Sequence, residues 1–174
     1  MNPPAMAKSR RGSALVYAAF ALIGVAGLVS LGVDFGRVTL VRTQLQTATD
    51  AAATYGASHL MSGASAVKSK AVQAASWNKA DGSPVVITES DVEVGYWNTT
   101  HRTFTPGAAN ANAVRVTARR SSDRGSAVPL LFASLVGKNT ADITTTSIAM
   151  LNAGGGTALR TEGIMNPWLA GMAK

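Results

Sequence analysis

The stretch RRGSALVYAAFALIGVAGLVSLGVDFGR, residues 10–37, carries the clearest structural signal in the chain, because Ser13 to Val33 contains no charged residue. At 1.5 Å rise per residue, a helix over these positions is about 32 Å long, which matches a hydrocarbon core of roughly 30 Å. The apolar core of a secretory signal is usually shorter, about 7–15 residues. The length therefore predicts a transmembrane helix at 13–33, preceded by a basic N-terminus at 1–12.

The charges on either side of this segment predict its orientation. Lys8, Arg10 and Arg11 precede the segment, and Asp34 follows it directly. The positive-inside rule then places the N-terminus in the cytoplasm and exports the remainder of the chain. One alternative stays open, because the tripeptides VAG and SLG resemble signal-peptidase sites. Cleavage there would release a secreted binding protein whose basic sheet face, with Arg115 and Arg119, holds an acidic glycan or surface polymer.

The apolar pattern continues beyond the predicted span. Apolar or aromatic residues recur in steps of three and four along one helix face, at Val38, Val41, Leu45, Ala48, Ala52, Tyr55 and His59. This pattern predicts one helix of about 45 residues, which needs a cover over its apolar seam. The favoured cover is the protein's own sheet, and the alternative is neighbouring copies. Gly32 and Gly36 form a small-xxx-small pair that allows another helix to approach closely.

The remaining chain predicts an α+β fold, in which the long helix packs at its exported end against a small antiparallel sheet. Residues 34–80 continue the stem and add a second helix at 64–78. A turn at 81–84 then starts a period of two, which predicts about four strands within 81–151. The Gly-rich residues 152–174 are expected to be a linker and a flexible tail.

Composition gives no sign of an enzyme or of a nucleic-acid-binding protein. The chain has no cysteine, which excludes disulfides and thiol chemistry, and its net charge of +7 includes no dense basic stripe. His59 and His101 are isolated from carboxylates at metal-ligand spacing. We therefore expect no catalytic, cofactor-binding or metal-binding residues.

Residues 10–57, RRGSALVYAAFALIGVAGLVSLGVDFGRVTLVRTQLQTATDAAATYGA, resemble the N-terminal region of TadE/TadG-like proteins of the tight-adherence (Flp) pilus assembly system. The matching elements are a basic-Gly start, a Gly/Ala/Leu/Val span, VDFGR at its outer end, and LVRTQLQTATDAAATYGA. The later segments VEVGYWN, NAVRVTARR and VPLLFASLVG extend the resemblance to about Leu151. The resemblance implies a non-enzymatic pilus-assembly component in the bacterial inner membrane, with other pilus-assembly proteins as partners.

Two features depart from the family pattern. Longer TadG-like members carry a von Willebrand A-type domain, for which this chain is too short. Prepilins of the system are cut after a glycine and carry glutamate at the fifth mature position. Cleavage between Gly12 and Ser13 would instead put Tyr17 at that position. A minor filament subunit processed after Gly12 therefore stays an alternative to a permanent anchor.

Overall fold

The long helix predicted from the sequence is present. The computed structural model describes residues 11–151 and 157–160, and helix α1 occupies Arg11–Ala57, 47 residues without a break. Thr39 and Thr43, on its exposed face, donate hydroxyl hydrogen bonds to the carbonyls four residues earlier, so they do not compete with the helix. At the C-terminal end, the Ser58 hydroxyl donates to the Tyr55 carbonyl, 2.8 Å away. Residues 1–10, with most of the basic N-terminus, lie outside the described residues.

The second helix and the sheet follow in the predicted order. Helix α2 spans Ala64–Ser76 and begins after Gly63, whose φ of 92° suits a residue without a Cβ. The strands are β1 (Lys79–Ala80), β2 (Ser83–Pro84), β3 (Val92–Asn98), β4 (Thr103–Pro106), β5 (Ala113–Arg120), β6 (Val128–Pro129), β7 (Thr140–Ala141), β8 (Ile143–Leu151) and β9 (Thr157–Arg160). The main sheet is antiparallel, in the order β4-β3-β5-β8-β9, and β1–β2 and β6–β7 form separate hairpins.

Alternation along the strands places the core between α1 and the sheet. Val114, Val116 and Ala118 of β5 face the helices and are buried, whereas Arg115 and Arg119 lie on the outer face. The core residues come from α1, α2 and the inner face of the sheet, and they include Val41, Leu45, Ala48, Ala52, Val67, Ala71, Val114, Val116, Ala118 and Ala149. Many are alanines, so the helix approaches the sheet closely. The fold is α+β, as expected.

A polar pair and a polar triad fix how α1 lies on β8. The Thr49 and Thr145 hydroxyls are 2.7 Å apart in the buried interface. Gln46 Nε2 donates to Asp50 Oδ1 and to Ser147 Oγ, both at 2.9 Å, and the Ser147 hydroxyl in turn donates to Asp50. Shifting the helix along the strand would leave these groups unpaired, which costs free energy.

The sheet is larger than the sequence predicted. Residues 157–160 form β9 and pair with β8, in a region expected to be linker and tail. The Gly-rich stretch indicated flexibility, but backbone pairing with the free edge of β8 needs no particular side chains, so the sequence pattern did not reveal it. Residues 85–88, directly after the predicted turn at 81–84, are in none of the strands above. The expected tail at 161–174 lies outside the described residues.

Candidate functional site

None of the described residues covers the N-terminal half of α1. Its large apolar side chains are mostly more than half exposed, among them Leu15, Phe20, Leu22, Leu28 and Leu31. Within the described part of the chain, α1 is the one helix that is long and apolar enough to cross a membrane, and none of its most apolar window is buried against the protein. This half of α1 is therefore a candidate membrane span by length and composition.

Burial along α1 begins where the uncharged segment ends. Of the positions expected to pack, Val41, Leu45, Ala48 and Ala52 are at most 1% exposed and lie in the core, and Val38 packs against its edge. Thus α2 and the sheet cover this part of the seam within the same chain.

The remaining predicted packing and processing positions lie outside the core. Tyr55 is half-buried, with its ring centroid 4.8 Å from that of His59 and 5.4 Å from that of Trp77. Gly32 and Gly36 face open space, since a Cβ at either would meet no atom within 4 Å. The suggested processing positions, Gly12 and Ser13, lie in the first turn of α1.

Asp34 connects the end of the candidate span to the loop that follows β6. Its carboxylate accepts backbone N–H hydrogen bonds from Leu131, Phe132 and Ala133 at 2.9, 2.9 and 2.7 Å, and the residue is 4% exposed. Burial acts to raise the pKa of Asp34, but the three N–H donors and nearby Arg37 act to lower it, and the net pKa lies below its usual 3.8. Asp34 is therefore ionised at neutral pH and holds this loop against α1.

A second acidic side chain connects α1 to the turn between β1 and β2. Asp81 Oδ1 lies 3.1 Å from Arg37 Nη2, and its other oxygen lies 3.5 Å from Arg120 Nη1. The Asp81 backbone N–H also donates to Gln44 Oε1 at 2.9 Å. Both acids thus attach loops of the sheet domain to the first turns of α1 beyond the candidate span.

Asp91 is the centre of a third cluster, next to a cavity. Arg124 donates two hydrogen bonds to its carboxylate, at 2.8 and 2.9 Å, and Arg119 approaches to 3.5 Å. Burial alone raises the pKa of Asp91, but Arg124 and the Thr88 N–H and hydroxyl lower it to about 2. The adjoining cavity of about 580 Å³ is lined by Arg119, Arg120 and Arg124 as well as apolar residues. Asp91 and Asp81 offset much of that positive charge.

The outer sheet face suggested for an acidic polymer is also internally paired. Arg115 Nε lies 2.6 Å from Glu93 Oε2, and the guanidinium stacks over the Phe104 ring at 4.7 Å. Among the described residues no group of three His, Cys, Asp or Glu side chains could hold a metal ion. The connecting acids Asp34, Asp81 and Asp91 were not identified as site residues from the sequence. The one available signal was the position of Asp34 directly after the span.

Family comparisons agree with this architecture. A family model described as Tad-like Flp pilus-assembly matches residues 39–149, which cover the stem beyond the candidate span, α2 and most of the sheet. The chain belongs to the Tad-like Flp pilus-assembly family. A second model, for Flp pilus-assembly TadE/G-like proteins, matches residues 12–59, nearly the whole of α1.

The two matches overlap at 39–59, the part of α1 that packs against the sheet. The resemblance to TadE/TadG-like proteins is therefore confirmed, and no von Willebrand A-type domain is evident in the part of the chain that the structure describes. Searches of curated proteins and of solved structures gave no match.

Proposed function

We propose that this chain is a non-enzymatic, single-pass membrane anchor that presents an α+β domain outside the cytoplasm for Flp-type pilus assembly. The observation that carries the proposal is the change of environment along one unbroken helix. Residues 14–33 of α1 are almost entirely exposed and apolar, whereas from Val41 onward one face of the same helix is buried against α2 and the sheet. A lipid bilayer is the surrounding that suits the first half, because exposed apolar surface of this extent is unfavourable in water.

The rigid connection between the two halves supports an anchoring role. Asp34 and Asp81 attach two loops of the domain to the first turns of α1 beyond the span. A domain held in this way keeps a fixed height and orientation above the membrane, as a component that positions other assembly proteins would require. Its partners are then the inner-membrane lipid and other proteins of the pilus system.

A charge placed in the span tests both parts of the proposal. We expect cells that lack the chain to lose surface filaments, and the wild-type chain to restore them. The double variant L22K/V25K puts two lysines near the middle of the span, where each costs about 3 kcal/mol of insertion free energy. The lysine variant should be lost from the membrane fraction and should fail to restore filaments. The matched L22A/V25A variant should stay in the membrane fraction and restore filaments. Wild-type protein in the soluble cytosolic fraction would refute the anchor, and normal filaments without the chain would refute the assembly role.

A filament subunit cut after Gly12 is the second candidate, and the uncovered glycines of α1 favour it. Gly24, Gly27, Gly32 and Gly36 have open space where a Cβ would point, so a neighbouring helix could approach closely there. In this alternative Gly32 and Gly36 serve self-association. Sheared filaments that contain the chain with Ser13 at its N-terminus would establish the alternative, and a retained Met1 would refute it.

A further inference from the structure

The hairpin formed by β6 and β7 has an unusually apolar tip. Residues 130–137 read LLFASLVG, and we refer to them as the apolar tip. Leu131 is 59% exposed and Phe132 39% exposed, although both are large apolar residues. Lys138 follows directly and is also exposed.

The apolar tip has a defined backbone conformation, because hydrogen bonds close it. The Leu130 N–H donates to the Asn139 carbonyl at 2.9 Å, and the Lys138 N–H donates to the Ala133 carbonyl at 3.0 Å. Inside the tip, the Ser134 hydroxyl donates to the Leu131 carbonyl at 2.8 Å. Exposure of the two apolar side chains is therefore a property of the folded hairpin.

The apolar tip lies beside the end of the candidate span. Asp34, which binds three backbone N–H groups of the tip, is the first residue after the uncharged segment 13–33. On α1 itself, Leu31 and Phe35 lie within one turn of Asp34 and are 65% and 73% exposed. Apolar side chains of the tip and of the helix thus occur at the same level, where the span would leave the hydrocarbon core.

We propose that the apolar tip lies in the headgroup region of the membrane, on the exported side of α1, as a second contact between the domain and lipid. The proposal rests on the proposed function, because it needs α1 to cross the membrane. Apolar side chains of interfacial segments enter about 5–10 Å at the boundary between headgroups and acyl chains. Leu131 and Phe132 are suited to that depth, and the cationic side chain of Lys138 can extend to the lipid phosphates.

The absence of cysteine from the chain permits a direct test with the full-length protein. Three single-cysteine variants, L131C, M61C and L28C, are labelled with an environment-sensitive fluorophore. Each is reconstituted in vesicles of phosphatidylcholine and phosphatidylglycerol that contain nitroxide-labelled phosphatidylcholine as the quencher. Met61 is 90% exposed and follows the end of α1, which continues for about 35 Å beyond Asp34, so M61C reports a site far from lipid.

The proposal predicts quenching of the labels at positions 28 and 131, with several-fold less quenching at position 61. A quenched label at 28 with an unquenched label at 131 overturns the lipid contact alone and leaves the anchor intact. An unquenched label at 28 overturns both the anchor and the lipid contact. Equal quenching at 61 and 131 also overturns the lipid contact, since the tip would then be no closer to lipid than the far end of the domain.

Discussion

Replacing Leu45 by alanine tests whether the C-terminal half of α1 is covered by the protein's own sheet. Leu45 is 1% exposed and is among the largest fully buried side chains of the described residues. Alanine removes three carbon groups, each worth about 0.8 kcal/mol on burial, so the transfer contribution is about 2.4 kcal/mol. The cavity left behind adds to this, and we expect a loss of about 3 kcal/mol in the free energy of unfolding.

Leu40 offers a matched control on the same helix. It carries the same side chain but is 58% exposed, so L40A should change the free energy of unfolding by no more than about 0.5 kcal/mol. Urea unfolding of the full chain in mild detergent, followed by tryptophan fluorescence, measures both variants, since Trp97 is only 4% exposed in the folded protein. With m-values of about 1–3 kcal/mol/M, L45A should lower the midpoint by roughly 1–3 M.

Equal losses for L40A and L45A would refute an intramolecular cover. A midpoint that falls on dilution of the protein would do the same, because a seam covered by neighbouring copies loses its cover at low concentration. A loss below about 1 kcal/mol for L45A would show that the position is not part of a packed core.

Three further changes test individual contacts. The pKa of Asp91 is about 2 in the folded state against 3.8 normally, so the stability that its ionised form contributes is fully present above pH 3.8 and is lost as the pH falls through about 2. Because Arg124 is partly exposed to solvent, we expect this contribution to be about 1–2 kcal/mol. Urea midpoints measured at several pH values should show this pH dependence for the wild type and lose it in D91N. In D34N, the amide side chain accepts fewer N–H hydrogen bonds, so amide hydrogen exchange at residues 131–133 should accelerate while exchange in β5 stays unchanged. Unchanged exchange at 131–133 would refute the attachment of this loop to Asp34. In G95A, the new Cβ would lie 2.8 Å from the Phe104 ring and 2.9 Å from the Pro106 Cα. Strand β4 must therefore separate from β3, at a cost of about 1–3 kcal/mol in the free energy of unfolding. An unchanged unfolding midpoint would contradict this close packing of β3 and β4.

Local sequence patterns predicted the helices and most strands of this fold. The three-and-four spacing from Val38 to Tyr55 predicted a continuous helix, and α1 extends through all of it. Alternation in β5 likewise predicted a buried face and a basic face, which Arg115 and Arg119 share. These patterns can be recognised in the sequence because the spacing of apolar residues along the chain determines which face of a helix or strand becomes buried.

The connecting contacts could not be predicted in the same way. Asp34 binds backbone groups 97 to 99 residues away, and any residue other than proline offers the same N–H donor. Strand β9 follows glycines that indicated a flexible linker, yet it pairs with β8. Both features depend on the assembled fold and leave little trace in residue type.

Labelling of cysteine variants in intact inner membranes tests the central claim most directly. Met61 is 90% exposed, so the fold of the chain itself leaves M61C open to a membrane-impermeant maleimide. We expect M61C to be labelled at once in spheroplasts, whereas A5C, before the span, should be labelled only after the membrane is permeabilised. Protection of M61C until permeabilisation, or labelling of both positions in intact spheroplasts, would contradict a single-pass anchor with an exported domain.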